Sequence, residues 1–191
     1  MPILGIIASS KLVDSSSFMS IATVTAAGGE GTMSFTSIPG TYKHLQIRSY
    51  AADTYVPPTT PGASGADIRF NSDTGNNYSY VRLYSDGTTV DSSSNVNTTS
   101  ISSLIGSAWL LSGTHNFSPS VADIFDYQNT SKFKSAKGFS GARDNSTSTN
   151  QQMILGTALW YSTAAITRID ILAAISGWKA GSTFALYGIK G

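Results

Sequence analysis

The stretch 181-GSTFALYGIKG-191 decides the fold, because it alternates apolar and smaller or amphipathic side chains with a period of two. That period is typical of a β-strand, whose successive side chains point to opposite faces of a sheet. We expect Phe184 and Leu186 to point into a core and Tyr187 to lie on the opposite face with its hydroxyl in water. The stretch therefore predicts a strand in the middle of an antiparallel β-sandwich, paired on both sides.

The composition supports an all-β domain. Of the 191 residues, 40% are hydrophobic and only 12% are charged, against about 25% charged residues in a typical soluble domain. Ser, Thr, Gly and Asn take the place of the missing charge. Thr favours strands and Gly, Ser and Asn favour turns, whereas Ser, Thr and Gly are poor helix formers. The chain is long enough for one domain with a sizeable core.

Further segments show the same alternation. In 42-YKHLQIRSY-50, Leu45 and Ile47 share one face of the predicted strand. About ten short strands separated by turn residues can be counted, which is the spacing of a β-sandwich or barrel. The polar stretch 85–103 is interpreted as a long loop, with a hairpin excursion as the alternative. No helical period persists for more than a turn or two.

We place a boundary after residue 17, between an N-terminal segment and the predicted sandwich, which spans 18–191. The apolar side chains of this segment are Ile3, Leu4, Ile6 and Ile7. A secretory signal would have a Lys or Arg before its apolar region, and here none precedes it. These side chains are also too few to cross a membrane, which takes about 20 apolar residues. We interpret residues 1–17 as an assembly arm that packs on another chain. The rival interpretation is a first strand of the chain's own sandwich.

The residue types needed for catalysis or metal binding do not occur at the spacing of a known catalytic or metal-binding motif. There is no cysteine, and the two histidines, His44 and His115, belong to no metal motif. Ser140 lies in 138-GFSGA-142, which misses the nucleophile-elbow pattern. Asp73 and Asp86 begin fragments of calcium loops that do not continue, so turn formation explains them better. We expect no catalytic residue, no metal site and no cofactor.

Two surface clusters remain as candidates for binding. The basic cluster is interleaved with aromatic residues, a spacing that can serve single-stranded nucleic acid, but a net charge of +1 disfavours that class. We interpret it as an exposed strand face with Lys132 and Lys134 outward and the aromatics directed to the core. The tyrosines of 78-YSYVRLY-84 lie opposite Val81 and Leu83 and predict either a surface contact or an inward layer of the core. The basic cluster comprises Lys132, Lys134, Lys137 and Arg143 with Phe133 and Phe139, and the tyrosines are Tyr78, Tyr80 and Tyr84.

The last strands carry a resemblance to a known group. The segments 162-STAAITRIDILAA-174 and 177-GWKAGSTFALYGIKG-191 resemble the C-terminal strands of bacteriophage virion structural proteins. The segments 35-FTSIPGTYKHLQIRSYA-51 and 68-IRFNSDTGNNYSYVRLYSDG-87 resemble the early strands of the same group. The resemblance covers most of the chain from about Phe18 onward. It implies a jelly-roll β-sandwich with a structural role on a phage particle.

The resemblance does not fix the part of the particle, because the group includes head decoration (cement) and fibre-associated proteins. Our leading hypothesis is a capsid decoration protein on the outer surface of the virion head, where it stabilises the shell. Its partners would be the major capsid protein and further copies of itself, as a homotrimer, with the arm packing on one of them. Neither a nucleic acid nor a membrane is expected as a partner. The alternative is a receptor- or carbohydrate-binding module of a tail fibre or baseplate that contacts a host surface glycan. An enzyme, such as a polysaccharide lyase or hydrolase, is the third and least supported class.

Overall fold

The computed structural model describes residues 17–55, 62–109, 117–143 and 151–191. Within these ranges there is no helix, and twelve β-strands account for the regular structure. The strands are β1 Phe18–Thr25, β2 Thr32–Phe35, β3 His44–Ala51, β4 Gly62–Phe70, β5 Tyr78–Ser85, β6 Val90–Thr98, β7 Ile101–Trp109, β8 Ser118–Phe125, β9 Lys134–Arg143, β10 Gln151–Trp160, β11 Ile169–Leu172 and β12 Thr183–Ile189.

The strands form two antiparallel sheets that share one core. The larger sheet has the order β1-β12-β3-β8-β9-β10-β5-β6, and the smaller has the order β2-β11-β4-β7. Inward side chains of the larger sheet, such as Ile47 and Leu186, pack in one cluster with Ile68 and Ile171 of the smaller sheet. The prediction of an all-β sandwich is confirmed. The jelly-roll topology stays a prediction.

Strand β12 lies inside the larger sheet, as its alternation predicts. It pairs with β1 along one edge and with β3 along the other. Phe184 and Leu186 are fully buried, together with Leu45 and Ile47 of β3. Tyr187 lies on the opposite face, where the Arg48 guanidinium sits 5.1 Å from the centre of its ring. The predicted positions of Phe184, Leu186 and Tyr187 on the two faces are confirmed.

The stretch 85–103 is not a long loop. Its main part is β6, which forms a hairpin with β5, and β7 begins before the stretch ends. The hairpin turns at Asp86, whose carboxylate accepts hydrogen bonds from the backbone N–H groups of Thr88 and Thr89. Of the two interpretations, the hairpin is therefore correct. The hydrophobic pattern did not reveal this strand. Because β6 is an edge strand with most of its side chains exposed, neither of its faces needs apolar residues.

The two sheets approach each other most closely where β7 crosses β9. A Cβ atom added to Gly138 would lie 2.2 Å from the carbonyl oxygen of Leu104. Nearby, a Cβ atom on Gly106 would lie 2.9 Å from the Cβ atom of Ser140. Only hydrogen at these two positions allows the backbones of β7 and β9 to pack at this distance. Ser140 is buried at this crossing, a position that suits packing rather than nucleophilic attack.

Candidate interaction surface

The tyrosine face of β5 points inward. Tyr78 is fully buried and its ring stacks on Trp160 with centroids 6.2 Å apart. The Tyr78 hydroxyl accepts a hydrogen bond from the backbone N–H of Phe70, and burial raises the pKa of Tyr78 to about 12. Tyr78 therefore belongs to the core layer, the second of the two interpretations, and does not offer a surface contact.

Tyr80 and Tyr84 are half-buried on the same side of the β5–β6 hairpin. The Tyr80 hydroxyl accepts a hydrogen bond from Asn95 at 2.9 Å, and the Tyr84 hydroxyl donates one to Asp91 at 2.9 Å. The bond to Asp91 raises the pKa of Tyr84. Cross-strand pairs of this kind stabilise a hairpin, so both hydroxyls are engaged within the element that carries them.

The predicted basic cluster is divided between the interior and the surface. Lys134 is 1% exposed, and its ammonium donates hydrogen bonds to the carbonyl oxygens of Asn129, Lys132 and Thr163. Lys137 is exposed and pairs with Asp123 at 3.6 Å. The prediction that Lys134 points outward is wrong, because its register opposite Trp160 places it on the inner face of the sheet.

The prediction that the aromatic residues of this segment point into the core is also wrong. Phe133 is 52% exposed and Phe139 is 47% exposed, whereas they were expected in the core. Phe139 pairs in register with Leu155, on the face that looks away from the smaller sheet. The side chain of Arg143 and all of His115 lie outside the described part of the chain, as do the predicted arm residues Ile3, Leu4, Ile6 and Ile7.

The remaining polar candidates are engaged in local structure. His44 accepts a hydrogen bond on Nδ1 from the backbone N–H of Asp126. The Asp73 carboxylate accepts hydrogen bonds from the Trp160 indole at 2.8 Å, from Asn77 and from the backbone of Gly75. These bonds close a turn, as predicted for Asp73. Among the described residues, no three His, Cys, Asp or Glu side chains are grouped so that they could hold a metal ion.

The outer face of the larger sheet carries an unusual concentration of exposed apolar side chains. Val81, Leu83, Met153 and Leu155 are 52%, 49%, 51% and 53% exposed, and Phe139 belongs to the same face. We call this set, together with the half-buried Val121, the outer-face apolar patch: Val81, Leu83, Val121, Phe139, Met153 and Leu155.

The strand register makes the patch continuous. Leu83 of β5 pairs with Leu155 of β10, Leu155 pairs with Phe139 of β9, and Phe139 pairs with Val121 of β8. Neighbouring strands lie about 4.8 Å apart, so these four side chains form one row across four strands. Single exposed apolar residues are ordinary, but a contiguous group of them marks an interaction surface.

A cleft of about 770 Å³ adjoins one end of the patch. Phe139 and Met153 belong to both, and Tyr50, Phe117 and Pro119 line the far side. The rings of Tyr50 and Phe117 stack with centroids 5.1 Å apart. Its polar lining includes Gln151, which lies on the same face of β10 as Met153. The cleft is suited to a ligand or a side chain with a flat apolar face.

The interpretation of the sequence missed the patch, although a signal was present. The segment 153-MILGTALW-160 is apolar at both odd and even positions. Ile154 and Trp160 fill the core, which leaves Met153 and Leu155 on the outer face. Strands that are apolar on both faces are typical of sheets that are covered on both sides. The segment therefore predicts a covering partner for the outer face, which the described residues of this chain do not supply.

Comparison of the chain with protein-family models, with curated proteins and with solved structures finds no match. Within the described residues, no helix is long and apolar enough to cross a membrane.

Proposed function

We propose that this protein is a structural component of a bacteriophage virion, and specifically a capsid decoration protein that binds the outside of the head shell. The observation that carries the proposal is the outer-face apolar patch, a surface built for contact with another protein. The resemblance of segments 162–174 and 177–191 to phage virion proteins supplies the class of particle. The major capsid protein and further copies of this chain are the proposed partners.

The chemistry of the patch suits assembly on a particle. Its central row, Leu83, Leu155, Phe139 and Val121, contains no charged side chain. Association through such a row depends on the removal of apolar surface from water and not on ion pairs. Contacts of this kind are little weakened by salt, whereas exposed ion pairs are screened. A shell that meets varied ionic strength outside the cell would be held together well by these contacts.

The experiment is a shell-binding assay with matched variants. Shells assembled from the major capsid protein of the phage that encodes this chain are incubated with the purified protein and sedimented. Leu155→Asp should abolish cosedimentation, because it places a charge in the middle of the row. Val96→Asp is the control, since Val96 is 67% exposed on β6, outside the patch. Failure of the wild-type protein to sediment with shells, or equal binding by the Leu155→Asp variant, would contradict the proposal.

The cleft favours a second candidate function, a carbohydrate-binding module of a tail fibre or baseplate. The stacked rings of Tyr50 and Phe117, with Gln151 alongside, combine an aromatic platform with an amide hydrogen-bonding group. Aromatic side chains that join an apolar body to a polar edge are suited to such contacts. A glycan array separates the two functions: a bound glycan whose signal is lost in Tyr50→Ala would support the module and count against decoration.

A further inference from the structure

We propose that the outer-face apolar patch of one copy binds residues 3–7 of a neighbouring copy, so that the copies join head to tail into a closed ring. The inference deepens the proposed function and rests on it. Of the two proposed partners it assigns the patch to a further copy of this chain, and the assembled ring then binds the shell through several copies at once, so a charge at Leu155 would lower shell binding by breaking the ring. Three observations carry it: the character of the patch, the character of the segment, and where the chain enters the sheet.

The patch is an acceptor for an uncharged apolar segment. Two sets of charged side chains border it. Arg48 pairs in register with Val121 at one end of the row, and Lys137 and Asp123 on the adjacent row pair with each other at 3.6 Å. Leu83, Leu155 and Met153 are each about half exposed, so an incoming side chain finds accessible apolar surface on two adjoining strands. The cleft beside Met153 and Phe139 extends the same surface.

The segment 3–7 matches this acceptor in chemistry. It carries four large aliphatic side chains within five residues, Ile3, Leu4, Ile6 and Ile7. The first charged side chain after it is Lys11. Burial of these aliphatic groups against Leu83, Leu155 and Phe139 would remove both apolar surfaces from water without desolvating a charge.

The point of entry separates donor from acceptor. The chain joins the larger sheet at Ser17, whose carbonyl oxygen accepts a hydrogen bond from the Lys190 backbone N–H at 3.1 Å. This is the outer edge, beside β1, whereas β10 lies five strands further across the sheet, about 24 Å away at the usual strand spacing. Donor and acceptor thus occupy different parts of the surface, which is the heterologous arrangement that forms a ring when the rotation between copies closes.

A neighbouring copy is a better acceptor than the chain's own patch. Nine residues separate Ile7 from Ser17, and the ten Cα–Cα steps between them span about 33 Å when the chain is extended, so either route is long enough. The route within one copy would lay residues 8–16 across the polar outer positions of β3 and β8, which include Gln46, Arg48 and Asp123. Leu12 and Val13 would then lie against polar side chains, which disfavours the route within one copy.

The test uses the absence of cysteine from the chain. Full-length Ile6→Cys and full-length Leu155→Cys proteins are mixed and oxidised with oxidised glutathione. We expect a disulfide-linked pair of the two different chains, in at least tenfold excess over the pair formed by Ile6→Cys with Val96→Cys. Equal yields from the two mixtures would overturn the proposal. So would an Ile6→Cys/Leu155→Cys double variant that links only within one chain.

Oligomer mass in solution gives an independent readout. Light scattering should show a closed oligomer for the wild type and a monomer for Leu83→Asp and for a chain that lacks residues 1–10, with unchanged melting temperatures. An oligomer that survives both changes would overturn the proposal. The shell assay distinguishes failure of the ring proposal from failure of the proposed decoration function. Shell binding without selective crosslinking refutes the ring alone, whereas selective crosslinking without shell binding refutes the decoration function alone.

Discussion

At the scale of single residues, the buried ammonium of Lys134 connects separate segments of the chain. It donates hydrogen bonds to carbonyl oxygens of Asn129, Lys132 and Thr163, and so joins the start of β9 to two loops. Burial lowers the pKa of Lys134, but the three acceptors satisfy its donors. A buried cation is tolerated in a protein only when its hydrogen bonds are made in this way.

Replacement of Lys134 by Met should destabilise the protein by about 1–3 kcal/mol, because it removes the donor of three part-buried hydrogen bonds. Urea unfolding measures the change. Lys137→Met is the matched control, since its pair with Asp123 is exposed and should contribute less than about 1 kcal/mol. Equal stabilities for the two variants would show that the buried ammonium contributes nothing special.

Asp170 is the residue that should make stability depend on pH. Burial acts to raise the pKa of its carboxyl, but hydrogen bonds from Arg168 and Ser34 outweigh burial and hold the pKa below its ordinary value. The bond from Ser34 is 2.6 Å and that from Arg168 Nε is 2.8 Å. A carboxyl with a lowered pKa stabilises the folded state above its unfolded pKa of about 4, and this contribution is lost as the pH falls further.

The variant Asp170→Asn should therefore be less stable than the wild type at pH 7, by about 1–3 kcal/mol. The difference in unfolding free energy between the two proteins should narrow as the pH falls below about 4, where the wild-type carboxyl takes up a proton. Denaturant unfolding at a series of pH values measures both. Asp91→Asn, on the exposed hairpin, is the control with a smaller change. A gap that stays constant down to pH 2 would contradict the assignment.

At the scale of elements, the crossing of β7 over β9 depends on glycine. No pattern in the sequence indicates that Gly138 faces another backbone, because its neighbour Leu104 lies 34 residues earlier in the chain. Gly141 lies in the same strand, yet a Cβ atom there would lie 3.8 Å from its nearest neighbour. The two glycines thus differ only in what the tertiary structure places against them.

Gly138→Ala should destabilise the protein by about 1–3 kcal/mol or more, since the new methyl group would overlap the Leu104 carbonyl and force the sheets apart. Gly141→Ala should change stability by less than about 1 kcal/mol. Thermal unfolding of the two variants side by side makes the comparison. Similar melting temperatures would mean that the sheets separate at β7 and β9 at little cost.

Leu186 of β12 and Leu155 of β10 give a second matched pair of substitutions. Leu186→Ala should cost about 2–5 kcal/mol, because it opens a cavity in the shared core. The same change at Leu155, which is 53% exposed, should cost less than about 0.5 kcal/mol in the isolated chain. Chemical denaturation measures both. A large loss at Leu155 instead would indicate that the outer face is already covered within a single copy.

At the scale of the whole molecule, the fold is held together by pairs of strands that are distant in sequence. Phe18 pairs with Ile189, and Phe35 pairs with Ile169. The loops that join such partners must close before their contacts form, which slows folding. The two sheets are therefore completed only when both halves of the chain have come together.

Refolding from denaturant should take milliseconds to seconds, the range of all-β domains with non-local strand pairing. Stopped-flow fluorescence of the buried Trp160 and Trp178 measures the rate. The variant Gly141→Ala, which leaves the strand order unchanged, is the control and should refold at a similar rate. Refolding within microseconds would contradict the dependence on distant pairs.

By itself the sequence determined the fold class and much of the core. Alternation along 42–50 and 181–191 placed Leu45, Ile47, Phe184 and Leu186 inside, because a strand's side chains point alternately to its two faces. The low charge and the abundance of turn residues predicted an all-β chain. The turn at Asp73 was predicted correctly too, since its bond to the Gly75 backbone is local.

Only the tertiary structure decided which face of a strand is covered. In β5 and β9 both faces carry bulky side chains, so the pattern did not reveal that Tyr78 and Lys134 are buried or that Leu83 and Phe139 are exposed. A period of two fixes which residues share a face, but not what lies opposite that face. Strands from distant parts of the chain supply that covering. The outer-face apolar patch exists because they cover the other side of the larger sheet.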